Sequence, residues 1–295
     1  MFDLKNFLER QRCEVDALLE QMLPAKTERP SVIHEAMRYS LFCGGKRLRP
    51  ILCWVSAELC GGSEGCADAA AVALECLHTY TLIHDDLPAM DNDDLRRGFP
   101  TSHKVYGEAQ AILAGDALLT FAFEVLAARP APEPFSPCAL ILELACAGGS
   151  RGVIGGQVED LEAEQQTPDE AKLLYIHQHK TARLIEASCR MGCMAAGGTE
   201  EQAASLAEYG RCCGLAFQIA DDLLDVTSDE ATLGKPIGSD RRNEKMTWVT
   251  LRGLEAARAE AHRLAQQAVE ALAEFDAAAR QPLESLARYM VERVH

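Results

Sequence analysis

Apolar residues recur along most of this chain three and four residues apart, which is the spacing of an amphipathic helix. The clearest example runs from Ala256 to Ala279, where Ala, Leu and Val recur among Glu, Gln and Arg. β-Branched residues are few in such stretches, and no alternating run with an Asn-Gly or Asp-Gly turn indicates a hairpin. The pattern predicts an all-α fold.

Proline and glycine fall where helices should end. Pro24 and Pro30 bracket a first loop, and paired glycines end helices at positions 44–45, 61–62 and 197–198. The Pro-rich stretch from Arg129 to Pro137 separates two acidic clusters that must converge, so we interpret it as a surface loop and not a linker. Residues 1–295 are therefore predicted to form a single domain.

Composition indicates an ordinary globular protein. The 295 residues include 45 acidic and 29 basic side chains, which gives a formal charge of −16, and 48% of the residues are hydrophobic. The acidity argues against nucleic-acid binding, which needs a basic face. It leaves room for local basic clusters that bind a phosphorylated substrate.

No membrane span is expected, because the best candidate, Ala109 to Ala128, is interrupted by Asp116 and Glu124. The N-terminus is charged and amphipathic and has no apolar signal core. The twelve cysteines are scattered without a Cys-x-x-Cys pair, so we interpret them as small buried side chains in a reducing compartment. The expected location is cytoplasmic.

Two acidic clusters carry the candidate chemistry. In each, a pair of aspartates is followed by a third: Asp85-Asp86-Leu87-Pro88-Ala89-Met90-Asp91 (followed by Asn92-Asp93-Asp94) and Asp221-Asp222-Leu223-Leu224-Asp225. Asp221 and Asp225 are four residues apart and share a helical face. Asp85 and Asp91 would diverge by ~120° on a straight helix, but Pro88 breaks the helix and lets the chain bring Asp91 back.

Carboxylates this close repel one another, and a divalent cation removes that cost. Mg²⁺ favours a few carboxylates completed by water and phosphate oxygens. The alternative is a solvated acidic helix face. Both clusters lie in apolar sequence, however, and carboxylates are seldom buried without a partner.

Basic residues cluster at several points, and the segment from Gly44 to Pro50 holds three cations within four positions. Arginine suits bidentate capture of phosphate oxygens, and lysine acts as a point charge. Surface salt bridges are the alternative, and we prefer it for Lys235 or Lys245 taken alone. Together with the apolar helix before Asp85, two cationic patches indicate metal-assisted cleavage or transfer on an apolar diphosphate.

The chain resembles the short-chain trans-prenyl diphosphate synthases, and in particular the bacterial farnesyl diphosphate synthase type. The resemblance covers roughly Met37 to Gly253 and rests on six motifs in the family's order: GGKRLRP, HDDLPAMDNDDLRRG, GDALLTFAFEVLA, GGQVEDL, HKTARLI and FQIADDLLDVTSDEATLGKPIGSD. It implies the isoprenoid synthase fold, a helical bundle around a deep central cavity, and a homodimer. It also implies head-to-tail 1′-4 condensation of isopentenyl diphosphate with an allylic diphosphate.

The resemblance assigns roles to individual residues. It implies three Mg²⁺ ions, with Asp85 and Asp91 as ligands of two, Asp86 in support, and Asp221 as ligand of the third beside Asp222 and Asp225. The allylic diphosphate would be bound by Arg96, Lys180, Thr181, Gln218, Lys235 and Lys245. Isopentenyl diphosphate would be bound by Lys46, Arg49, His78 and Arg97.

Product length is predicted from the residues just before Asp85. Tyr80 lies five positions upstream, ~7.5 Å along a helix. With Thr81 beside it, Tyr80 would act as the floor beneath the growing chain. This arrangement resembles farnesyl-type enzymes, although the DNDD variant also occurs in geranylgeranyl relatives. We therefore expect mainly the fifteen-carbon product, with geranyl or geranylgeranyl diphosphate as alternatives.

Other classes of protein fit less well. A catalytically silent partner subunit usually lacks one acidic motif, and a phosphohydrolase or a di-iron bundle would need further His ligands or paired Glu-x-x-His motifs. A terpene cyclase would not need a second diphosphate site at GGKRLRP. One departure from the family is Thr247-Trp248-Val249, where Thr-Tyr-Pro is usual, which leaves the local turn and the placement of Lys245 open.

Overall fold

The computed structural model describes residues 2–163, 169–227 and 247–292, and helices dominate them. The helices are α1 (Leu4–Met22), α2 (Ser31–Phe42), α3 (Leu48–Leu59), α4 (Asp68–Asp85), α5 (Ser102–Tyr106), α6 (Glu108–Ala127), α7 (Ala139–Gly148), α8 (Val153–Ala163), α9 (Glu170–Ile176), α10 (Arg183–Ala196), α11 (Glu200–Thr227), α12 (Trp248–Arg252), α13 (Leu254–Ala271) and α14 (Gln281–Glu292). A π-helical turn, His177–Ala182, joins α9 to α10. The predicted all-α fold is confirmed.

Helix α4 lies at the centre of the bundle. Twelve of its eighteen residues are buried, and it packs against α3, α6 and α10. A helix that is apolar around its whole circumference belongs in an interior, and the alanine-rich start of α4 (Ala69 to Ala73) has this character. Because α4 ends at Asp85, this packing fixes the position of the first acidic cluster.

The long helix α11 packs against α10 and α13 and carries the second acidic cluster at its C-terminal end. Glycine allows its close approach to the π-helical turn, because a Cβ at Gly214 would lie 2.4 Å from the Cα of Ala182. The backbone of this turn is therefore held against α11.

The predicted helix ends agree with the structure at the paired glycines, and the Pro-rich stretch from Arg129 to Pro137 is indeed a loop between α6 and α7. Two expectations were wrong. Helix α13 ends at Ala271, short of Ala279, and Arg280 donates to the carbonyl of Leu272 at this end. Beyond it, Asp276 caps a separate turn by accepting from the N–H groups of Ala278 and Ala279. The expectation for the cysteines holds in part, since all twelve are free thiols and six of them are buried.

The second wrong expectation concerns hairpins. The sequence indicated none, but the structure contains one. Strands β1 (Leu95–Arg96) and β2 (Phe99–Pro100) pair antiparallel, with Arg96 opposite Phe99. Arg97 and Gly98 form the connecting turn, and both have positive φ, 54° and 83°. This is the conformation of a type I′ hairpin turn, in which glycine is common and arginine is not.

Helix α6 and the segment from Ala139 to Ala163 are long and apolar enough to cross a membrane by length and composition alone. Core helices of water-soluble proteins meet the same criterion. The apolar face of α6 is buried against α4, while Asp116 and Glu124 are exposed. Packing within the bundle thus accounts for most of the apolar character of α6.

Candidate active site

The first acidic cluster folds back on itself. Helix α4 ends at Asp85, and the N–H of Asp91 donates to the carbonyl of Asp85 at 2.8 Å. Asn92 takes up positive φ (52°) and donates its N–H to the carbonyl of Leu87 at 3.1 Å. The return of Asp91 to Asp85 is the geometry predicted from Pro88.

Asp85 is the aspartate of this cluster with the most unfavourable charge environment. Burial raises the pKa of Asp85 to about 6, with smaller contributions from Asp91 and Asp86, while Lys180 and Arg96 act in the opposite direction. A carboxylate whose charge is not compensated by the protein is suited to a cation. The influence of Lys180 also places the mid-chain motif beside the first acidic cluster.

Asp86 differs from Asp85 because it has a direct partner. Its side chain is 5% exposed, and Oδ1 accepts from Nε of Arg96 at 2.9 Å and also from Nη2. Arg96 also approaches Asp93 at 3.4 Å. In this state Arg96 holds Asp86, so Asp86 supports the site through Arg96.

The adjacent arginines Arg96 and Arg97, on the hairpin formed by β1 and β2, contact different parts of the molecule. Arg96 reaches the acidic cluster, whereas Nη1 of Arg97 donates to the carbonyl of Gly44. Gly45 makes room for this contact, because a Cβ there would lie 2.4 Å from Nη1 of Arg97. The two arginines therefore face different neighbours, and their roles at two different substrates stay predictions.

The residues expected to bind isopentenyl diphosphate come together around His78. Burial lowers the pKa of His78 well below its ordinary value, followed in order by the positive charges of Arg49, Arg97, Arg47 and Arg96. Burial likewise lowers the pKa of Arg49 to about 10, and its Nε has no hydrogen-bond partner among the described residues. A half-buried guanidinium with its Nε in this state is suited to an anion.

Lys46 directly precedes Arg47 in the loop before α3. It is exposed and lines a cavity of 780 Å³ together with Phe217, side chains of α1 and side chains of α14. The cavity walls are largely apolar, including Leu8 and Met290.

The π-helical turn presents Lys180 and Thr181. Lys180 Nζ lies 2.6 Å from Oδ2 of Asp160 on α8, and Thr181 Oγ1 donates to Oε1 of Gln218 on α11 at 2.8 Å. Gly156 allows α8 this approach, since a Cβ there would lie 2.2 Å from the backbone N of Lys180. π-Helical turns are frequent at functional sites. Lys235 and Lys245 lie outside the described residues.

The second acidic cluster lies one turn beyond Gln218. Asp221 and Asp225 are partly exposed and share the face of α11 that carries Gln218. Thr181 thus contacts α11 one turn before Asp221, while the neighbouring Lys180 acts on the charge of Asp85. Each acidic cluster therefore has a neighbour on the π-helical turn.

Asp222 has a different environment. It is 5% exposed, and its Oδ2 accepts from the N–H of Trp248 at 2.8 Å and lies 3.7 Å from Nε2 of His177. Thr247 forms a capping box with Thr250 at the start of α12. These bonds build the turn at Thr247-Trp248-Val249 without the usual proline. In the described contacts Asp222 anchors this turn, and its role as a metal ligand stays a prediction.

Tyr80 and Thr81 lie on α4 behind Asp85. Tyr80 is 5% exposed, its hydroxyl has no partner in the described parts of the chain, and its ring meets His84 edge-on at 5.7 Å. His84 in turn fits over Gly115 of α6, where a Cβ would lie 2.2 Å from Nε2. Thr81 donates its hydroxyl to the carbonyl of His78 at 2.7 Å.

Sequence reasoning missed two groups of this site. Asp160 was part of a quoted motif but received no role, and His177 was not singled out. The structure identifies both by their contacts with predicted site residues. Asp160 forms an ion pair with Lys180, and His177 lies beside Asp222.

Magnesium fits the donors that are present. Within residues 2–163, 169–227 and 247–292, no three His, Cys, Asp or Glu side chains are placed to hold a metal ion by themselves. Oxygen ligands from diphosphate and water would complete the coordination sphere, as Mg²⁺ prefers. The carboxylates of Asp85 and Asp91, brought together by the bend, are the best-formed part of such a site.

Comparisons with known proteins agree with this geometry. The family model "Polyprenyl synthetase" matches residues 30–285. The chain is 47% identical over 99% of its length to geranylgeranyl pyrophosphate synthase 9, chloroplastic, of Arabidopsis thaliana, covering 82% of that protein. It is 45% identical to the heterodimeric geranylgeranyl pyrophosphate synthase large subunit 1, chloroplastic, of the same plant, with 99% of the chain and 80% of the relative covered. The crystal structure of a FPP/GFPP synthase from Zymomonas mobilis superposes with a TM-score of 0.84 at 38% identity, with 98% of both chains covered. The chain thus has the isoprenoid synthase fold and belongs to the polyprenyl synthetase family of short-chain prenyl diphosphate synthases.

Proposed function

We propose that this prenyl diphosphate synthase condenses isopentenyl diphosphate with dimethylallyl or geranyl diphosphate and releases mainly farnesyl diphosphate. The convergence of both acidic clusters on the π-helical turn supports the reaction, because it creates one place for a leaving diphosphate. The separate cationic cluster around His78 supports a second diphosphate substrate. The buried ring of Tyr80 supports the fifteen-carbon product.

The proposed reaction breaks the bond between C1 and oxygen of the allylic diphosphate and joins C1 to C4 of isopentenyl diphosphate. Arg96, Lys180 and Thr181 would bind the oxygens of the departing diphosphate, and their charge stabilises it as it forms. Lys46, Arg49, His78 and Arg97 would hold the second substrate at a fixed range. The apolar wall of α4 excludes water from the allylic cation.

A proton must then leave C2 of the isopentenyl unit. The departing diphosphate can accept it, so the reaction needs no dedicated protein base. His78 would be a weak base, because burial and then the charges of four arginines lower its pKa. We assign His78 to binding as a neutral hydrogen-bond donor.

We propose Mg²⁺ as the cofactor, with three ions per site. Asp85, Asp86 and Asp91 would hold ions on one side, and Asp221, Asp222 and Asp225 on the other. Bound Mg²⁺ would supply Lewis-acid stabilisation of the leaving diphosphate.

Product chain length is the most direct test. Purified protein is incubated with Mg²⁺, isopentenyl diphosphate and each allylic primer in turn, and the products are measured by mass spectrometry. We expect wild type to stop at fifteen carbons and Tyr80→Ala to make longer chains. Tyr80→Phe keeps the ring and should keep the wild-type product. An unchanged product in Tyr80→Ala would rule out the floor, and no elongation with any primer would favour a silent subunit.

Geranylgeranyl diphosphate is the second candidate product. The 47%-identical Arabidopsis relative carries this activity in its name, so this alternative fits the comparisons at least as well. Efficient conversion of farnesyl diphosphate to a twenty-carbon product by wild type would decide for it.

We also propose a homodimer in the cytoplasm. Ile112, Leu113 and Leu142 are 44%, 51% and 65% exposed on the adjoining helices α6 and α7, an apolar surface that a second copy would cover. Sedimentation of the purified protein measures this, and a monomer at micromolar concentration would contradict it. Because one relative is named as a large subunit of a heterodimer, a different partner chain is the alternative.

A further inference from the structure

One of the three cations in the segment Gly44–Pro50 does not face a substrate. The Arg47 side chain is 2% exposed, and its Nε lies 2.7 Å from Oδ1 of Asp16. Its Nη1 lies 2.7 Å from Oε1 of Glu75, and its Nη2 donates to the carbonyl of Leu41. Each nitrogen of the guanidinium is bonded to the protein, so this buried side chain is committed to contacts within the protein.

The backbone of Arg47 is also unusual. Its φ is +51°, in the left-handed region that a non-glycine residue adopts only when its surroundings enforce it. Arg47 is the N-cap of α3, and its carbonyl accepts the N–H of Ile51 at 3.1 Å. The side-chain contacts of Arg47 therefore fix the point at which the loop turns into the helix, between Lys46 and Arg49.

Glu75 connects this point to the other half of the same substrate site. It lies on α4 three residues before His78, on the same helical face, and its side chain is 3% exposed. Its charge also acts on Arg49 and Arg97. Asp16 adds a third anchor from α1, with a side chain that is 38% exposed.

We propose that Asp16, Arg47 and Glu75 form a positioning latch that sets Lys46 and Arg49 against His78 for the diphosphate of isopentenyl diphosphate. Arg47 is then a positioning residue and not a ligand of the substrate. This inference rests on the proposed function, because it concerns the second-substrate site. The latch should affect one substrate and leave the other almost untouched, since Lys180 and Thr181 on the π-helical turn contact Asp160 of α8 and Gln218 of α11 and not the latch.

The test is a comparison of KM values for the two substrates in Glu75→Gln and Arg47→Lys. Glutamine keeps the shape of Glu75 without its charge, and lysine keeps the charge of Arg47 without its three-way contact. We expect KM for isopentenyl diphosphate to rise at least about tenfold, as for other small misplacements of binding groups, with KM for the allylic primer within about twofold.

Glu143→Gln is the matched control. Glu143 is a buried glutamate that accepts from Nη2 of Arg183 at 2.7 Å across α7 and α10, outside the contacts that form the latch. It should lose stability in the same way as Glu75→Gln while KM for isopentenyl diphosphate stays at wild type. A general loss of a buried ion pair would instead move both substrates together, or neither.

Two measurements keep the proposal falsifiable. If the buried variants fail to fold, Asp16→Asn weakens the latch at its exposed end and should still raise KM for isopentenyl diphosphate. Titration calorimetry with isopentenyl diphosphate in the absence of Mg²⁺ reads the same site without turnover. Wild type that binds but does not elongate would contradict the proposed function alone, and variants that bind as tightly as wild type would overturn the latch.

Discussion

At the scale of single residues, adjacent side chains meet different surroundings. Asp85 is half-buried and its pKa is raised to about 6, whereas the neighbouring Asp86 is fully buried and paired with Arg96. Arg97, next to Arg96, donates instead to the carbonyl of Gly44. The acidic cluster therefore has one carboxylate whose charge is already balanced by the protein and one that still needs a cation.

This difference predicts which aspartate is essential. Asp85→Asn should lower kcat by about 10²–10³-fold, because it removes charge at the point where the leaving group must be stabilised. Asp94→Asn is the control in the same acidic run, since Asp94 is exposed and pairs with Lys104 at 2.7 Å. Steady-state kinetics at saturating Mg²⁺ measures both, and equal kcat values in the two variants would contradict the assignment.

The spacing of residues predicted part of this detail. Pro88 foretold the return of Asp91, because a proline breaks a helix at a definite place. The burial of Arg47 was not predictable. Three cations lie within four positions, and the sequence does not indicate which of them pairs with carboxylates on α1 and α4. Those carboxylates, Asp16 and Glu75, come from 31 residues before Arg47 and 28 residues after it.

At the scale of elements, two short loops meet and depend on glycine. Gly45 has φ +123°, and its missing side chain leaves the space that the guanidinium of Arg97 occupies. The loop before α3 and the turn between β1 and β2 are therefore fitted to each other. The turn was missed in the sequence because its Arg-Gly pair lacks the usual hairpin signal.

Gly45→Ala should raise KM for isopentenyl diphosphate about tenfold, because the new methyl group displaces Arg97. The control is Gly61→Ala, at φ +76° with no atom within 4 Å of the new Cβ. Both variants carry backbone strain worth about 1–3 kcal/mol, so thermal unfolding should weaken similarly in both. A similar rise of KM in Gly61→Ala would show that strain, and not the contact with Arg97, is responsible.

At the scale of the whole molecule, a buried histidine links stability to pH. Burial lowers the pKa of His177 from 6.5 to about 4, with Asp160 acting in the opposite direction. Between pH 6.5 and 4 the unfolded chain therefore binds a proton that the folded chain does not. The stability that a neutral His177 supports is complete above pH 6.5 and is lost as the pH falls towards 4.

Unfolding in urea at pH 7.5 and pH 5 tests this. His177 should account for about 2 kcal/mol of the stability lost between these values. His177→Gln should lack this part of the pH dependence, and His262→Gln, which changes an exposed histidine on α13, should keep it. Identical pH dependence in wild type and His177→Gln would contradict the burial argument.

The overall fold was predictable from helical spacing and glycine breaks because these are local signals. Product length stays a prediction, because it depends on how several helices together shape the surroundings of Tyr80. The end of α13 shows the same limit, since the helix ends at Ala271 although the composition up to Ala279 favours continuation.

The hairpin of β1 and β2, which carries Arg96 and Arg97, has a consequence for how the two substrates bind. Because Arg96 and Arg97 are adjacent on this hairpin, we expect a shift that draws Arg96 from Asp86 towards an incoming phosphate to disturb the contact of Arg97 with Gly44 as well. We therefore expect the two substrates to bind cooperatively, because binding of the first substrate would shape the site of the second. Calorimetric affinities for isopentenyl diphosphate with and without a non-reactive allylic analogue measure this coupling, and equal affinities would show that the pockets fill independently.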